Sequence, residues 1–213
     1  MVANTGGTIL VTGASRGIGR ATSNRLTRGG HDVIGLARNP PEDEFVGEFH
    51  AVDLADRSAT AAMLEEIATG GEITGLVNNV GINRVQSLGE VDLDVFDEII
   101  DINLRTAIQC AQAVLPGMKA RGSGRIVNIS SRAALGREGR TGYSAAKAGV
   151  IGMTRTWALE LAEHGITANA VAPGPTATEM FRLNNMDNAE PGFLESFIGR
   201  IPMKRFAEPN EIA

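Results

Sequence analysis

Short apolar runs alternate with longer stretches of helical periodicity along most of the chain. The apolar runs predict six strands, at Thr8–Thr12, Asp32–Ala37, His50–Asp53, Leu76–Asn78, Arg125–Ser130 and Thr167–Ala172. The periodic stretches predict helices at Gly17–Arg28, Ser58–Thr69, Asp94–Leu115 and Thr141–Glu163. The strands are apolar on both faces, which is typical of a parallel sheet covered by helices on both sides. The pattern therefore predicts a doubly wound α/β fold, with residues 1–213 in a single domain.

Three segments depart from simple alternation. The connection Asn39–Gly47 contains two prolines and is too short for a full helix, although parallel crossovers usually need about a dozen residues. Residues 176–205 lack clear periodicity but carry many apolar side chains, which predicts an active-site lid or a pair of surface helices. At Pro209 a further helix is predicted to start, and a chain that stops at Ala213 looks truncated.

Composition and charge narrow the function. A net charge of −5 without a basic run disfavours nucleic-acid binding, and no apolar run is long enough to span a membrane. The single cysteine, Cys110, fits a reducing, cytoplasmic compartment and a buried structural thiol. We predict no metal site. The remaining classes are enzymes and small-molecule binding proteins.

The turn after the first strand is rich in glycine. Gly13, Gly17 and Gly19 permit a tight turn and close approach of a ligand to the backbone, and a helix N-terminus follows. Such a terminus binds phosphate groups, so the turn predicts a nucleotide site.

The end of the second strand bears on which nucleotide binds. An acidic residue there would bind the ribose 2′-hydroxyl of NAD, but the chain has Ala37 followed by Arg38. Arg16 lies inside the glycine turn, and two guanidinium groups can bind a 2′-phosphate. These residues favour NADP(H).

A second group of residues suggests proton transfer. Tyr143 and Lys147 are four residues apart and share one face of a helix. An ammonium beside a phenol is expected to lower the tyrosine pKa and so assist proton exchange with a substrate oxygen. Ser130 and Ser131 end the preceding strand and can reach the same space.

Together these residues resemble the short-chain dehydrogenase/reductase family, from Thr8 to Ala213. The resemblance rests on six motifs in order: the glycine turn Thr12–Gly19, Asn78-Asn79-Val80-Gly81, Asn103, Ile129-Ser130-Ser131, Tyr143-Ser144-Ala145-Ala146-Lys147, and Pro173-Gly174 with Thr178. It implies a three-layer Rossmann fold whose usual seventh strand is missing here. It also implies a homodimer or homotetramer formed through the two long helices.

The resemblance also implies residue roles. The catalytic group would be Asn103, Ser131, Tyr143 and Lys147, with Tyr143 as general acid and Ser131 donating to the developing oxyanion. The NADP(H) site would comprise Tyr143 and Lys147 together with Gly13, Ser15, Arg16, Gly17, Ile18, Gly19, Arg38, Asp53, Leu54, Asn79, Gly81, Pro173, Gly174, Thr176 and Thr178.

Two questions stay open at this point. The usual serine-to-tyrosine separation selects Ser130, whereas the motif selects Ser131, and strand alternation allows only one of them to serve.

The substrate is a carbonyl or alcohol: either a 3-oxoacyl group on an acidic carrier protein, or a small ketone, sugar or polyol. Five arginines would favour carrier docking (Arg121, Arg125, Arg132, Arg137 and Arg140), but His164 replaces an expected arginine. A non-catalytic NADP(H)-binding protein is the third alternative.

Overall fold

A six-stranded parallel sheet forms the centre of the protein. The computed structural model describes residues 6–185 and 192–213. The strands are β1 (Gly6–Thr12), β2 (His31–Ala37), β3 (Glu48–Ala51), β4 (Ile73–Asn78), β5 (Gly124–Ile129) and β6 (Ile166–Val171). Their order is β3-β2-β1-β4-β5-β6, and every pairing is parallel. The predicted doubly wound fold is confirmed, and its strand order reverses between β1 and β4, where such sheets bind ligands.

Helices cover both faces of the sheet. They are α1 (Gly17–Arg28), α2 (Arg57–Gly70), α3 (Leu93–Ile100), α4 (Thr106–Arg121), α5 (Thr141–Leu161), α6 (Glu179–Asn185), α7 (Phe193–Gly199) and α8 (Pro209–Ile212). Successive strand residues point to opposite faces. Leu10 and Leu76 therefore belong to the larger core cluster, while Val11 and Val77 belong to the smaller cluster on the other face.

The long helix predicted at Asp94–Leu115 differs from the observed one. It begins at Leu93, passes through one π-helical turn at Asp101–Arg105, and ends at Arg121. Termination at Pro116-Gly117 was therefore wrong. Both residues are exposed, so water can satisfy the carbonyl that Pro116 leaves without a partner, and the next turn buries Met118 completely. The helix is terminated instead by Gly122, the residue after its last helical position, whose φ of 67° is left-handed.

The third strand is also shifted from its predicted position. It spans Glu48–Ala51, where it pairs with Ile34–Ala37, so Asp53 lies in the turn after the strand. The connection before it contains no helix, as its length and prolines predict. Helix α2 is capped by Asp56, which accepts hydrogen bonds from the N–H groups of Ser58 and Ala59.

The segment predicted as a lid contains α6 and α7. Phe181, Phe197 and Phe206 pack against one another with ring centroids 4.7 to 5.9 Å apart. An open cavity of about 430 Å³ lies beside them, lined by Thr178, Phe181 and Leu194 among others. The central part of the predicted lid, residues 186–191, lies outside the described residues.

Three simple properties complete the fold. None of the described helices is long and apolar enough to cross a bilayer. Within the described residues no three His, Cys, Asp or Glu side chains cluster as metal ligands would. Cys110 is fully buried, and burial raises its thiol pKa to about 12, which agrees with a structural thiol.

Candidate active site

The glycine turn lies at the carboxyl end of β1 and leads directly into α1. A Cβ on Gly19 would lie 2.1 Å from the carbonyl oxygen of Gly13, so this position requires glycine. Gly13 and Gly17 have φ angles of 64° and 56°, which other residues rarely adopt. Arg16 provides no side-chain cap and no acidic residue occupies the first turn of α1, so its N–H groups can bind phosphate. This turn fits the diphosphate of a dinucleotide.

Asn79 holds the turn in place from the neighbouring strand. Its side-chain amide donates to the carbonyl oxygens of Thr12 and Gly13, at 3.0 and 3.2 Å. The fully buried Thr12 hydroxyl in turn accepts from the N–H groups of Asn79 and Val80. Asn79 thus acts first as a brace between β1 and β4, at the point where the strand order reverses.

The two serines at the end of β5 have different surroundings. The Ser130 hydroxyl is buried and donates to the backbone carbonyl of Lys147 at 2.7 Å, so it is occupied inside the fold. The Ser131 hydroxyl lies close enough to the Tyr143 phenol for its hydrogen bonding to oppose the rise in the Tyr143 pKa, and it also accepts from the N–H of Ala133 at 3.1 Å. The structure therefore brings Ser131, and not Ser130, to the tyrosine.

The Tyr143 and Lys147 side chains lie on one face of α5, and the Lys147 ammonium is 5.7 Å from the phenol ring centroid. Burial raises the pKa of Tyr143, while the Ser131 hydrogen bond and the charges of Arg140 and Arg137 oppose this rise. The expectation of a tyrosine pKa lowered by Lys147 was therefore wrong for this arrangement. Burial also lowers the pKa of Lys147 to about 8, and its ammonium donates to the Ile129 carbonyl at 2.9 Å.

Asn103 lies in the π-helical turn, a distortion that often occurs at functional sites. Its amide nitrogen donates to the carbonyls of Ile82 and Ile99, at 2.9 and 2.8 Å, while its buried side-chain oxygen has no partner among the described residues. The Asn103 side-chain oxygen and the Lys147 ammonium both border the space beside Gly81. A Cβ on Gly81 would lie 2.5 Å from Asn103 Oδ1 and 3.2 Å from Lys147 Nζ. The two groups can therefore share a proton path.

The remaining predicted cofactor residues lie around the same crevice, with differing exposure. Arg16 forms an ion pair with Glu179 at the start of α6, whereas exposed Arg38 has no side-chain partner in the part of the chain that the structure describes. Asp53 is exposed, but the Leu54 side chain is in the core, so only the backbone of Leu54 can face a cofactor.

The loop after β6 closes the other side of the crevice. The Pro173 carbonyl accepts from the N–H of Arg132, and the buried Thr176 hydroxyl donates to the Gly174 carbonyl. The Thr178 hydroxyl accepts from the N–H of Phe181, and its methyl group would lie 3.4 Å from a Cβ on Gly17. Ser15 and Ile18 are half-buried within the glycine turn.

Arg137 and Arg140 were predicted as part of a basic docking surface. The prediction was wrong for Arg140, which is buried. Arg140 is only 4% exposed, because it lies beneath α6 and donates to Asn184 and Asn185. Arg137 is half-buried and lies 5.2 Å from the centroid of the Phe197 ring. Their burial depends on α6 and α7, whose placement over this loop is not visible in local sequence.

Buried amides connect the site to the core. Asn78 donates to Asn128 at 2.8 Å, and Asn128 donates to the Thr154 hydroxyl at 2.9 Å. This chain of contacts joins β4, β5 and α5 below the candidate catalytic residues, although the side-chain oxygen of Asn78 has no partner among the described residues.

A sequence profile of the family described as short chain dehydrogenase matches residues 7–189. The chain belongs to this family. It is 39% identical to a 3-oxoacyl-[acyl-carrier-protein] reductase from Vibrio harveyi, over 96% of this chain and 85% of the relative. This short-chain dehydrogenase is thus an oxidoreductase by family.

Solved structures agree with this membership. One is a putative NAD(P)-dependent gluconate 5-dehydrogenase from Beutenbergia cavernae, whose crystal structure contains NADP at low occupancy. It is 34% identical to this chain in sequence. The two structures match with a TM-score of 0.89 over 97% of this chain and 86% of the other. An aldohexose dehydrogenase from Thermoplasma acidophilum is 29% identical in sequence, and its structure matches with a TM-score of 0.89 over 97% of this chain and 84% of the other.

Proposed function

We propose that this short-chain dehydrogenase is an NADPH-dependent carbonyl reductase, which also runs in reverse as an alcohol dehydrogenase. The observation that carries the proposal is the convergence of Ser131, Tyr143, Lys147 and Asn103 beside the glycine turn. A binding protein without turnover would not need a phenol hydrogen-bonded to a serine next to a buried ammonium.

The protein residues supply the proton and the positioning. The bound dinucleotide supplies the hydride. Tyr143 keeps its proton at neutral pH because burial raises its pKa, so it can act as the acid that protonates the carbonyl oxygen. Ser131 donates a hydrogen bond to the same oxygen as negative charge develops there.

Lys147 and Asn103 act behind the tyrosine. Lys147 would hold the nicotinamide ribose through its buried ammonium, which lies 5.7 Å from the phenol ring centroid of Tyr143. The unpartnered oxygen of Asn103 faces the same space and would accept a hydrogen bond from a water, through which a proton from solvent would return to Tyr143. Buried Ser130 keeps the Lys147 backbone in place.

The preference for NADPH rests on charge at the end of β2. Ala37 offers no carboxylate to the ribose, and Arg38 is exposed beside it. Arg16 is paired with Glu179, but the two side chains are 64% and 42% exposed, and such surface pairs contribute under about 1 kcal/mol. Arg16 can therefore exchange Glu179 for a 2′-phosphate.

The substrate class is less constrained by the relatives, which include a carrier-protein reductase and two sugar or sugar-acid dehydrogenases. Of the five arginines considered for docking an acidic carrier, Arg140 is buried, and Arg121 donates to the carbonyls of Ile73 and Ser123. Arg125 and Arg132 remain exposed. Two of the five arginines are thus held inside the fold and two remain available to an acidic carrier, so both a small carbonyl compound and a carrier-bound one belong in the test.

The proposal is tested by mixing the protein with NADPH or NADH and a panel of small ketones, oxo acids and a 3-oxoacyl thioester, and following nicotinamide absorbance. We expect turnover of at least one carbonyl, faster with NADPH. NADPH binding without turnover of any carbonyl would contradict the proposal.

A matched pair of variants then tests the serine assignment. Ser131→Ala should lower kcat by roughly 100-fold or more, because the oxyanion loses a donor. Ser130→Ala should change kcat by only a few fold and should lower the free energy of unfolding by about 1 kcal/mol, since a buried hydrogen bond is lost. The opposite ranking of kcat values would assign the role to Ser130.

A further inference from the structure

Arg105 connects two parts of the candidate active site that are distant in sequence. Its guanidinium donates to the carbonyl oxygens of Leu54 and Ala55, at 2.8 and 3.2 Å, in the turn that follows β3. The same guanidinium forms a two-point ion pair with the carboxylate of Asp101, to which its Nε donates at 3.0 Å. Because the Arg105 side chain is only 18% exposed, these contacts are largely shielded from water.

The ion pair spans the π-helical turn that carries Asn103. Asp101 and Arg105 are the first and last residues of that turn, and the N–H of Thr106 donates to the Asp101 carbonyl to close its wider ring. The hydrogen bond from Arg105 is the main reason that the pKa of the Asp101 carboxyl is lowered, and Arg57 donates to the same carboxylate at 2.8 Å. The pair is therefore ionised at neutral pH, and it joins the two ends of the turn from which the Asn103 side chain projects.

The other segment that Arg105 contacts lies at the adenosine end of the proposed cofactor site. The N–H of Val52 donates to the Ala37 carbonyl at 2.9 Å, which places the turn at residues 53–55 beside the carboxyl end of β2. The carboxyl ends of the strands are where such sheets bind nucleotides. Within the turn, the Asp53 carboxylate accepts from the N–H of Ala55 at 3.0 Å. One guanidinium thus bonds to the segments at both ends of the crevice.

We propose that Arg105 is a positioning residue, which holds the turn at residues 53–55 in place for the adenosine half of the cofactor and the π-helical turn in place for Asn103. Without the guanidinium, two backbone carbonyls and the Asp101 carboxylate would lose donors in a partly buried site, so both turns would shift. Small displacements of positioned groups lower both affinity and rate. This inference rests on the proposed carbonyl reductase function.

The first measurement concerns binding and needs no turnover. Dissociation constants are determined by calorimetry for adenosine 2′,5′-bisphosphate, which represents the adenosine half of NADPH without the nicotinamide. We expect Arg105→Met to bind it about 10-fold more weakly than wild type. Arg105→Lys should restore only part of the affinity, because an ammonium keeps the charge but lacks the planar fork that reaches the carbonyls and the carboxylate together.

Arg121→Met is the matched control for this comparison. Arg121 is the last residue of the same helix, its side chain is 23% exposed, and its guanidinium also donates to two backbone carbonyls, those of Ile73 and Ser123. Those carbonyls lie where β4 and β5 begin, at the opposite edge of the sheet from the site. We therefore expect Arg121→Met to bind adenosine 2′,5′-bisphosphate as wild type does.

Two results of the binding comparison would overturn the proposal. One is wild-type affinity in a folded Arg105→Met protein, and the other is an equal loss of affinity in Arg105→Met and Arg121→Met. If Arg105→Met does not fold, Arg105→Lys is compared with wild type and with Arg121→Met in the same way.

A double-mutant cycle then tests the link to Asn103. At saturating NADPH, kcat for carbonyl reduction is measured in Arg105→Met, Asn103→Ala and the double variant. We expect Arg105→Met to lower kcat by about 10-fold in the wild-type background but by less than about 2-fold when Asn103 is already alanine. Equal factors in both backgrounds would show that Arg105 does not act through Asn103. Absence of turnover in the wild-type protein would contradict the reductase function, whereas the binding comparison would still decide the role of Arg105.

Discussion

At the scale of single residues, the surroundings of each side chain separate Ser130, whose hydroxyl is held by the Lys147 carbonyl inside the fold, from Ser131, which lies beside Tyr143. The tyrosine, lysine and glycines are recognisable because few residue types can perform those tasks at that spacing. The sequence could not show that Arg140 is buried or that Ser130 turns inward, because both depend on contacts with distant segments. Likewise, the pKa of Tyr143 is governed by burial, which only tertiary structure defines.

The buried ammonium of Lys147 makes stability depend on pH. Its pKa falls from an ordinary 10.5 to about 8 in the folded protein, so between these values the unfolded chain binds more protons. Stability therefore rises as pH increases through this window. From pH 7.5 to 9.5, we expect the wild-type free energy of unfolding to rise by about 2 kcal/mol relative to Lys147→Met, measured in urea.

Lys119→Met, at an exposed position of α4, is the control for this comparison. Relative to wild type, its free energy of unfolding should differ by a constant amount across the same pH range. A constant difference for Lys147→Met as well would show that the buried ammonium does not govern this pH dependence.

At the scale of elements, the strands and most helices could be predicted because hydrophobic periodicity records which face is buried. The errors arose where tertiary contacts decide. Helix α4 continues through Pro116 because Met118 packs in the core, and β3 is displaced because its partner strand sets the register. The π-helical turn that presents Asn103 has no signature in the hydrophobic pattern.

The glycine turn provides a test of element geometry. Gly19→Ala should weaken NADPH binding by about 10-fold or more and should destabilise the protein, because the new Cβ would displace the backbone of Gly13. Binding is measured by NADPH fluorescence and stability by urea unfolding. The matched control is Gly152→Ala in α5, where no atom lies within 4 Å of the new Cβ.

We expect Gly152→Ala to raise the free energy of unfolding by about 0.5–1 kcal/mol, since alanine is the better helix former, and to leave NADPH binding unchanged. Wild-type affinity in Gly19→Ala would instead mean that the ligand does not approach this turn.

At the scale of the whole molecule, the strand order brings distant segments into one crevice. The reversal between β1 and β4 places the glycine turn beside Asn79, and the end of β5 beside α5 places Ser131 at Tyr143. Helices α6 and α7 then cover Arg137 and Arg140 from the other side. The fold could be predicted from the motifs in order, whereas the burial of these two arginines required the three-dimensional structure.

The most direct test of the central claim is the turnover of Tyr143→Phe compared with its NADPH affinity. This variant removes only the hydroxyl that we propose as the proton donor. We expect kcat for carbonyl reduction to fall by about 100- to 10,000-fold, while the dissociation constant for NADPH, measured by fluorescence, stays within a few fold of wild type. Carbonyl reduction at a rate close to wild type in Tyr143→Phe would contradict the account.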